Sequence, residues 1–263
     1  MRYTSFDPYL KKIQLDRRSV PSFDSYPFCI PAIRNLSELE LHPQVTFFVG
    51  DNGTGKSTLL EAIAVKAGFN PEGGSRNLSF STRETHSELY EHLRVAKGIS
   101  RPRDGYFLRA ESFFNVATAM ERMDSDPDNR GGGAPIMDTV GGKSLHEQSH
   151  GESFLALLTN RFMGNGLYLL DEPEAALSPS KQLSVLSLMN DLINRKSQFI
   201  IVTHSPIIMA YPNATIYLFS DDEIAPVEYT ETEHYNVTRD FLDRREAMLD
   251  ILLANSNMQD DGW

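Results

Sequence analysis

Val45-Thr46-Phe47-Phe48-Val49-Gly50-Asp51-Asn52-Gly53-Thr54-Gly55-Lys56-Ser57 is the stretch of the 263-residue chain from which the rest can be read. Its first five residues form an unbroken run of β-branched and aromatic side chains, the pattern of a strand buried on both faces. Gly50 to Ser57 then fits G-x-x-x-x-G-K-[ST], and Lys56 to Ala67 reads as the following helix. Glycines let such a loop curl until its N–H groups converge on phosphate oxygens, and the positive end of the helix adds to that field. The expected triphosphate-binding set is therefore Gly50, Asp51, Asn52, Gly53, Thr54, Gly55, Lys56, Ser57 and Thr58. Lys56 would bridge β- and γ-phosphates and Ser57 would hold Mg2+.

A second strand with chemistry at its end is Leu167-Tyr168-Leu169-Leu170-Asp171-Glu172-Pro173. Asp171, at the end of the apolar run, suits the coordination of Mg2+. Glu172 beside it can polarise the water that attacks a γ-phosphate.

Outward from these two strands the periodicity alternates. A helix from about Ser149 to Met163, strand Leu167–Leu170, helix Ser180–Asn194, strand Gln198–Thr203 and strand Thr215–Phe219 predict an α/β fold with a mainly parallel sheet. Ligands of such sheets sit beyond the carboxyl ends of the strands. Upstream, Tyr9–Asp16, Phe28–Ile33 and Ser37–Leu41 read as strands of a small antiparallel sheet. Residues 73–83 read as a loop with a short edge strand, and His86–Gly98 carries Leu89 and Leu93 at helical spacing. Gly105–Ala110 reads as a strand, Ser112 to about Met123 as a helix, and 124–142 as a mobile surface loop rich in glycine and proline. A last helix, Thr238–Ala254, is expected to pack Phe241, Leu242, Leu249, Leu252 and Leu253 on the core. The layout is one domain over 1–263 with a helical lobe inserted at about 70–165.

Composition narrows the functions. A formal net charge of −11 excludes a surface that binds polyanions as a whole. Any nucleic-acid contact must use a local basic patch, a partner or a dimer groove, and Arg94, Lys97, Arg101 and Arg103 form the densest basic cluster. Cys29 is the only cysteine, which excludes an internal disulfide and reads as a small buried hydrophobe in a reducing compartment. The start lacks a signal-peptide pattern and no apolar run reaches membrane-spanning length, so a cytoplasmic location is expected.

With these motifs in one chain, the sequence resembles the ABC-type ATPases, in particular the head domains of SMC- and RecF-like proteins and small bacterial ATPases of the AAA/ABC type. Ser149-His150-Gly151-Glu152-Ser153 resembles the signature motif usually written S-G-G-[QE], with His150 in place of the second glycine. The resemblance implies that Ser149, Gly151 and Glu152 contact ATP held by a second subunit. It also implies that His204, in Ile200-Ile201-Val202-Thr203-His204-Ser205-Pro206, is the switch histidine at the γ-phosphate. Glu174-Ala175-Ala176-Leu177-Ser178 stands where the family has a dimer-contact loop. The family's glutamine loop has no glutamine here; Arg109-Ala110-Glu111-Ser112 occupies that strand end, which makes Glu111 a candidate Mg2+ ligand. Tyr26, Phe28 and the Arg34-Asn35 pair are candidates for the adenine wall.

What the resemblance implies is an ATPase with ATP and Mg2+ as its cofactors, in which Glu172, His204 and Lys56 carry catalysis. Its ATP state would be a head-to-tail homodimer. The segment between Ser57 and Ser149 is too short for the long coiled coil of SMC proteins. Three roles follow: an engine for DNA repair or phage defence with DNA or an effector protein as partner, the nucleotide-binding subunit of a transporter, or a nucleotide-gated switch with little turnover.

Overall fold

The computed structural model describes residues 6–76, 87–113, 115, 118 and 150–254. In chain order the elements are β1 (Leu10–Leu15), α1 (Pro31–Asn35), β2 (Glu38–Glu40), β3 (Val45–Gly50), α2 (Lys56–Ala67), β4 (Gly74–Ser75), β5 (Leu93–Lys97) and β6 (Asp104–Arg109). After these come α3 (His150–Arg161), β7 (Gly166–Asp171), α4 (Pro179–Asn194), β8 (Gln198–Val202), β9 (Thr215–Phe219), β10 (Ile224–Pro226), α5 (Glu233–Asp243) and α6 (Arg245–Ala254).

The α/β class holds. A seven-stranded sheet runs β10-β9-β3-β8-β7-β6-β4, with β9, β3, β8, β7 and β6 mutually parallel and β10 and β4 antiparallel edges. Every residue of β3, β7 and β8 is buried, as their continuous apolar runs predict. Alternation along each strand then divides the core in two. Val45, Phe47, Tyr168, Leu170, Phe199 and Ile201 face α3 and α4, against Phe154, Leu158, Val185 and Met189. Phe48, Leu167, Leu169, Ile200 and Val202 face α2, against Leu59, Leu60 and Ile63. On its other side α2 meets the small antiparallel sheet β2-β1-β5, which supplies Leu10, Ile13, Leu39 and Leu93 to the same cluster. A helix between two sheets has no solvent stripe, so α2 is apolar on most of its circumference.

Several sequence expectations are corrected. Phe28–Ile33 is not a strand. Pro31 occupies the first turn of α1, where its missing N–H costs nothing, and Phe28 is buried in the turn before it. The third strand of the small sheet is instead β5, inside the stretch read as helical. Leu89 and Leu93 are both buried, but a 3-10 turn at Glu88–His92 ends where Leu93 pairs with Leu15 and Val95 with Ile13. Cys29 is exposed. The last helix is two, broken at Arg244, and neither buries a residue; Leu242 is 72% exposed. The two faces of the sheet are already filled, one by α3 and α4 and the other by α2. Within 70–165, read as a helical lobe, the described residues hold β4, β5 and β6 as well as α3. The loop at 124–142 and most of the helix expected over Ser112–Met123 lie outside the described residues.

Candidate functional site

The parallel strands β3, β7 and β8 all end at one edge of the sheet, and the sequence places a polar residue just beyond each. After β3 the chain turns sharply at Gly50, whose φ of +132° is a conformation that L side chains rarely adopt. A Cβ there would stand 2.3 Å from the Phe219 carbonyl oxygen at the end of β9, so the turn admits glycine alone. The loop that follows delivers Lys56 to the start of α2. Lys56 is 4% exposed, and its ammonium donates to the carbonyls of Gly50 at 2.9 Å and Asp51 at 2.6 Å. Burial lowers its pKa, opposed by Glu172, Asp51 and Asp171. Thr54 Oγ1 donates to the Asp51 carbonyl at 2.8 Å, tying the loop to itself.

In the first turn of α2, Ser57 Oγ donates to Asp171 Oδ1 at 2.8 Å. Asp171 ends β7 and is pushed up to about 6, first by burial; the Ser57 hydrogen bond and Arg109 oppose that, and the like charges of Glu172 and Glu111 add to it. A hydroxyl and a buried carboxylate in contact are hard oxygen donors, the chemistry Mg2+ takes from proteins while it keeps several waters. Among the described residues no group of three His, Cys, Asp or Glu side chains forms a metal cage. Glu111 is 85% exposed, with its carboxylate 3.5 Å from Arg109 Nη2.

Glu172 follows Asp171 in a left-handed conformation, φ +49°, which costs a non-glycine residue roughly 1 kcal/mol or more. Its N–H still donates to the Val202 carbonyl at 3.0 Å, so the backbone stays in the sheet while the side chain turns out of it. That turn brings Glu172 Oε1 to 3.6 Å from His204 Nε2. His204 leaves the end of β8, and its backbone N–H donates to Glu174 Oε1 at 2.5 Å. Glu174 Oε2 accepts from Thr203 Oγ1 at 2.8 Å, so one half-buried carboxylate locks the β8 exit to the turn at Pro173–Ala176.

Two domain models match this chain: one described as "AAA domain, putative AbiEii toxin, Type IV TA system" over residues 108–210, the other as "AAA domain" over 22–103. The DNA replication and repair protein RecF of Colwellia psychrerythraea is 49% identical over 47 residues, which cover 17% of this chain and 11% of that protein. The phosphate import ATP-binding protein PstB of the same organism is 29% identical over 223 residues, covering 76% of each chain. A solved structure titled "An inward-facing conformation of a putative metal-chelate type ABC transporter" superposes with a TM-score of 0.51 at 18% identity, covering 89% of this chain and 88% of that one. Two stretches of the chain match AAA domains, and the fold is the P-loop NTPase fold of ABC ATPases.

In this ABC-like fold, Lys56, Ser57, Asp171, Glu172 and His204 come together. Thr58 Oγ1 lies 3.3 Å from the hydroxyl of Tyr26, and the two line a cavity of about 470 Å3 with Ser57, Glu61, Arg109 and Glu111. Of the adenine-wall candidates, Tyr26 stays 63% exposed beside the loop, Arg34 pairs with Asp24, and Phe28 belongs to the core. Gly151 and Glu152 open α3; a Cβ on Gly151 would stand 2.6 Å from the Ala176 carbonyl, so glycine is required there by its own chain. Ser149 lies outside the described residues. Lys97, Arg101 and Arg103 lie at the opposite end of the sheet, and Arg94 is paired with Asp16 at 2.5 Å. No described helix is long and apolar enough to cross a membrane.

Sequence reasoning missed three members of the site. Arg109 stands opposite Asp171 in the β6–β7 register and is held by Glu61 of α2 at 2.6 Å; its Nε, 3.6 Å from Asp171 Oδ2, is buried with no hydrogen-bond partner among the described residues. An apolar run ending in arginine was the available signal. Glu174 was read only as part of the dimer-contact segment and His234 carried no signal, because their contacts with Thr203 and His204 depend on where separate segments meet.

Proposed function

We propose that the chain binds ATP with Mg2+ and hydrolyses it. The observation that carries this reading is the convergence at one sheet edge of Lys56, the Ser57–Asp171 contact at 2.8 Å and the Glu172–His204 pair at 3.6 Å. Gly50 to Thr58 would enclose the phosphates, Lys56 leaving its loop carbonyls for phosphate oxygens. Ser57 and Asp171 would hold Mg2+, which supplies charge neutralisation on the phosphates; Glu111 would reach it only by turning from Arg109. Glu172 would take the proton of the attacking water, and His204 would hold the γ-phosphate side of the site.

A second copy would complete the site through Ser149, Gly151 and Glu152, giving a head-to-tail homodimer in the ATP state. An isologous two-fold interface allows this with one gene product. The work driven is DNA repair or phage defence, with DNA or an effector protein as partner; the RecF match and the toxin description of the domain model lie on that side. A transporter subunit is the second reading, supported by the PstB relative. The arginine and glutamate at the strand end where transporters carry glutamine stand against it. The test is ATP turnover together with solution mass, with and without ATP, for the wild-type and Glu172→Gln proteins. Doubling of the mass in ATP supports the dimer; a wild-type chain that binds no triphosphate overturns the whole reading.

A further inference from the structure

His234 lies in none of the motifs, 30 residues after His204, near the start of α5. Its Nε2 is 2.9 Å from His204 Nδ1, with the rings tilted at 53°. The start of α5 is itself pinned to the loop that carries His204. Tyr229 OH donates to the Pro206 carbonyl at 2.9 Å, and buried Thr232 donates from Oγ1 to the Tyr229 carbonyl at 2.8 Å, so the 3-10 turn at Tyr229–Glu231 holds His234 in place.

A hydrogen bond between two neutral imidazoles needs one donor and one acceptor, and there are two ways to arrange it. If His204 donated from Nδ1, the bare lone pair of its Nε2 would face the Glu172 carboxylate at 3.6 Å. If His234 donates instead, His204 carries its proton on Nε2, and an N–H dipole faces that carboxylate. The second arrangement replaces a repulsion with an attraction. It also leaves His204 Nε2, which is buried without a hydrogen-bond partner among the described residues, with a proton to offer. Burial lowers the pKa of both histidines, with the Lys56 cation adding to it; Glu172 and Asp51 oppose the shift at His204, and Glu233 and Asp51 oppose it at His234.

We infer that His234 is a positioning residue that donates from Nε2 to His204 Nδ1, fixing His204 as the tautomer with its proton on Nε2 and so presenting an N–H donor beside Glu172. This deepens the ATPase reading and rests on it for its use, since the acceptor would be an oxygen of the γ-phosphate or of the attacking water. A partner that fixes a tautomer works by keeping the functional nitrogen in one protonation state at the moment of reaction.

The tautomer can be read without any turnover. The full chain is labelled with 15N-histidine, and long-range 1H–15N correlations are assigned by comparison with His204→Gln. The expected spectrum shows His204 protonated at Nε2. In His234→Ala both tautomers of His204 should be populated, and kcat for ATP should fall about tenfold or more with KM changed less than about twofold. His234→Gln, whose side-chain amide can still donate, should restore most of both signals. A wild-type spectrum with His204 protonated at Nδ1 overturns the inference, as does His234→Ala with unaltered tautomer and kcat. If the wild-type chain proves unable to hydrolyse ATP, the hydrolysis reading fails alone, because the wild-type spectrum still decides the tautomer.

Discussion

The two ends of the seven-stranded sheet carry charge in opposite ways. At the carboxyl end Lys56 and Asp171 are 4% and 6% exposed, within the mutual influence of Glu172 and Arg109. At the amino end Lys97, Arg101 and Arg103 are exposed around two cavities that both touch Tyr9 and Ser100. Burial strips water from charges, so those at the first end perturb one another; those at the second are screened within about 10 Å by salt. A net charge of −11 hides this division, because the groups with chemistry to do are concentrated where the fold removes solvent.

The contrast breaks most readily at Lys56. Lys56→Ala should lower ATP turnover by about 10²–10³-fold and weaken nucleotide binding in a direct titration, because the buried cation held against the loop carbonyls of Gly50 and Asp51 is lost. Unchanged turnover would remove the carboxyl end from the mechanism. Glu172→Gln should come next, slowing turnover by roughly 10²-fold or more while nucleotide binding persists, measured as single-turnover rate against equilibrium affinity.

A smaller effect concerns stability. Asp171 has its pKa raised from 3.8 to about 6, so its protonated form is favoured by folding. Its contribution is therefore full below the unfolded pKa and is lost as pH rises through about 6. Metal-free Asp171→Asn should be more stable than wild type at pH 7, by at most about 3 kcal/mol, and the two should converge near about pH 4. Thermal melts at both values measure it, and a difference that persists in acid would mean the gain has another source. Smallest of all, Lys97→Glu with Arg101→Glu should move stability by less than about 0.5 kcal/mol and leave basal turnover unchanged, since both side chains are exposed. Retention on duplex DNA at rising salt would show whether this end has an anionic partner; equal retention of the variant would exclude that role.

Legibility followed the range of the interactions. The buried strand, its loop and the next helix are contiguous, and each is dictated by neighbours within a dozen residues, so the α/β class could be read along Val45–Ala67 and Leu167–Pro173. The small antiparallel sheet could not. Leu89 and Leu93 satisfy a helical spacing, yet pairing of Leu93 and Val95 with β1 extends the backbone. The apolar spacing over Thr238–Ala254 marked helical backbone but neither the break at Arg244 nor the exposure of both pieces, because the sheet face against α3 and α4 is already filled. Cys29 was assigned to the interior on residue type, whereas its neighbour Phe28 took that place.

By itself, then, the order of residues determined the phosphate loop, the acidic pair after β7 and the histidine after β8, since each motif needs only its own strand and turn. Tertiary structure alone decided that Arg109 is held between Glu61 and Asp171, that Glu174 locks Thr203 and His204, and that His234 stands behind His204. These contacts join segments 29 to 62 residues apart in sequence. Their formation depends on crossover connections and packing that bring distant strand ends to one edge, and no local pattern of side chains encodes that distance.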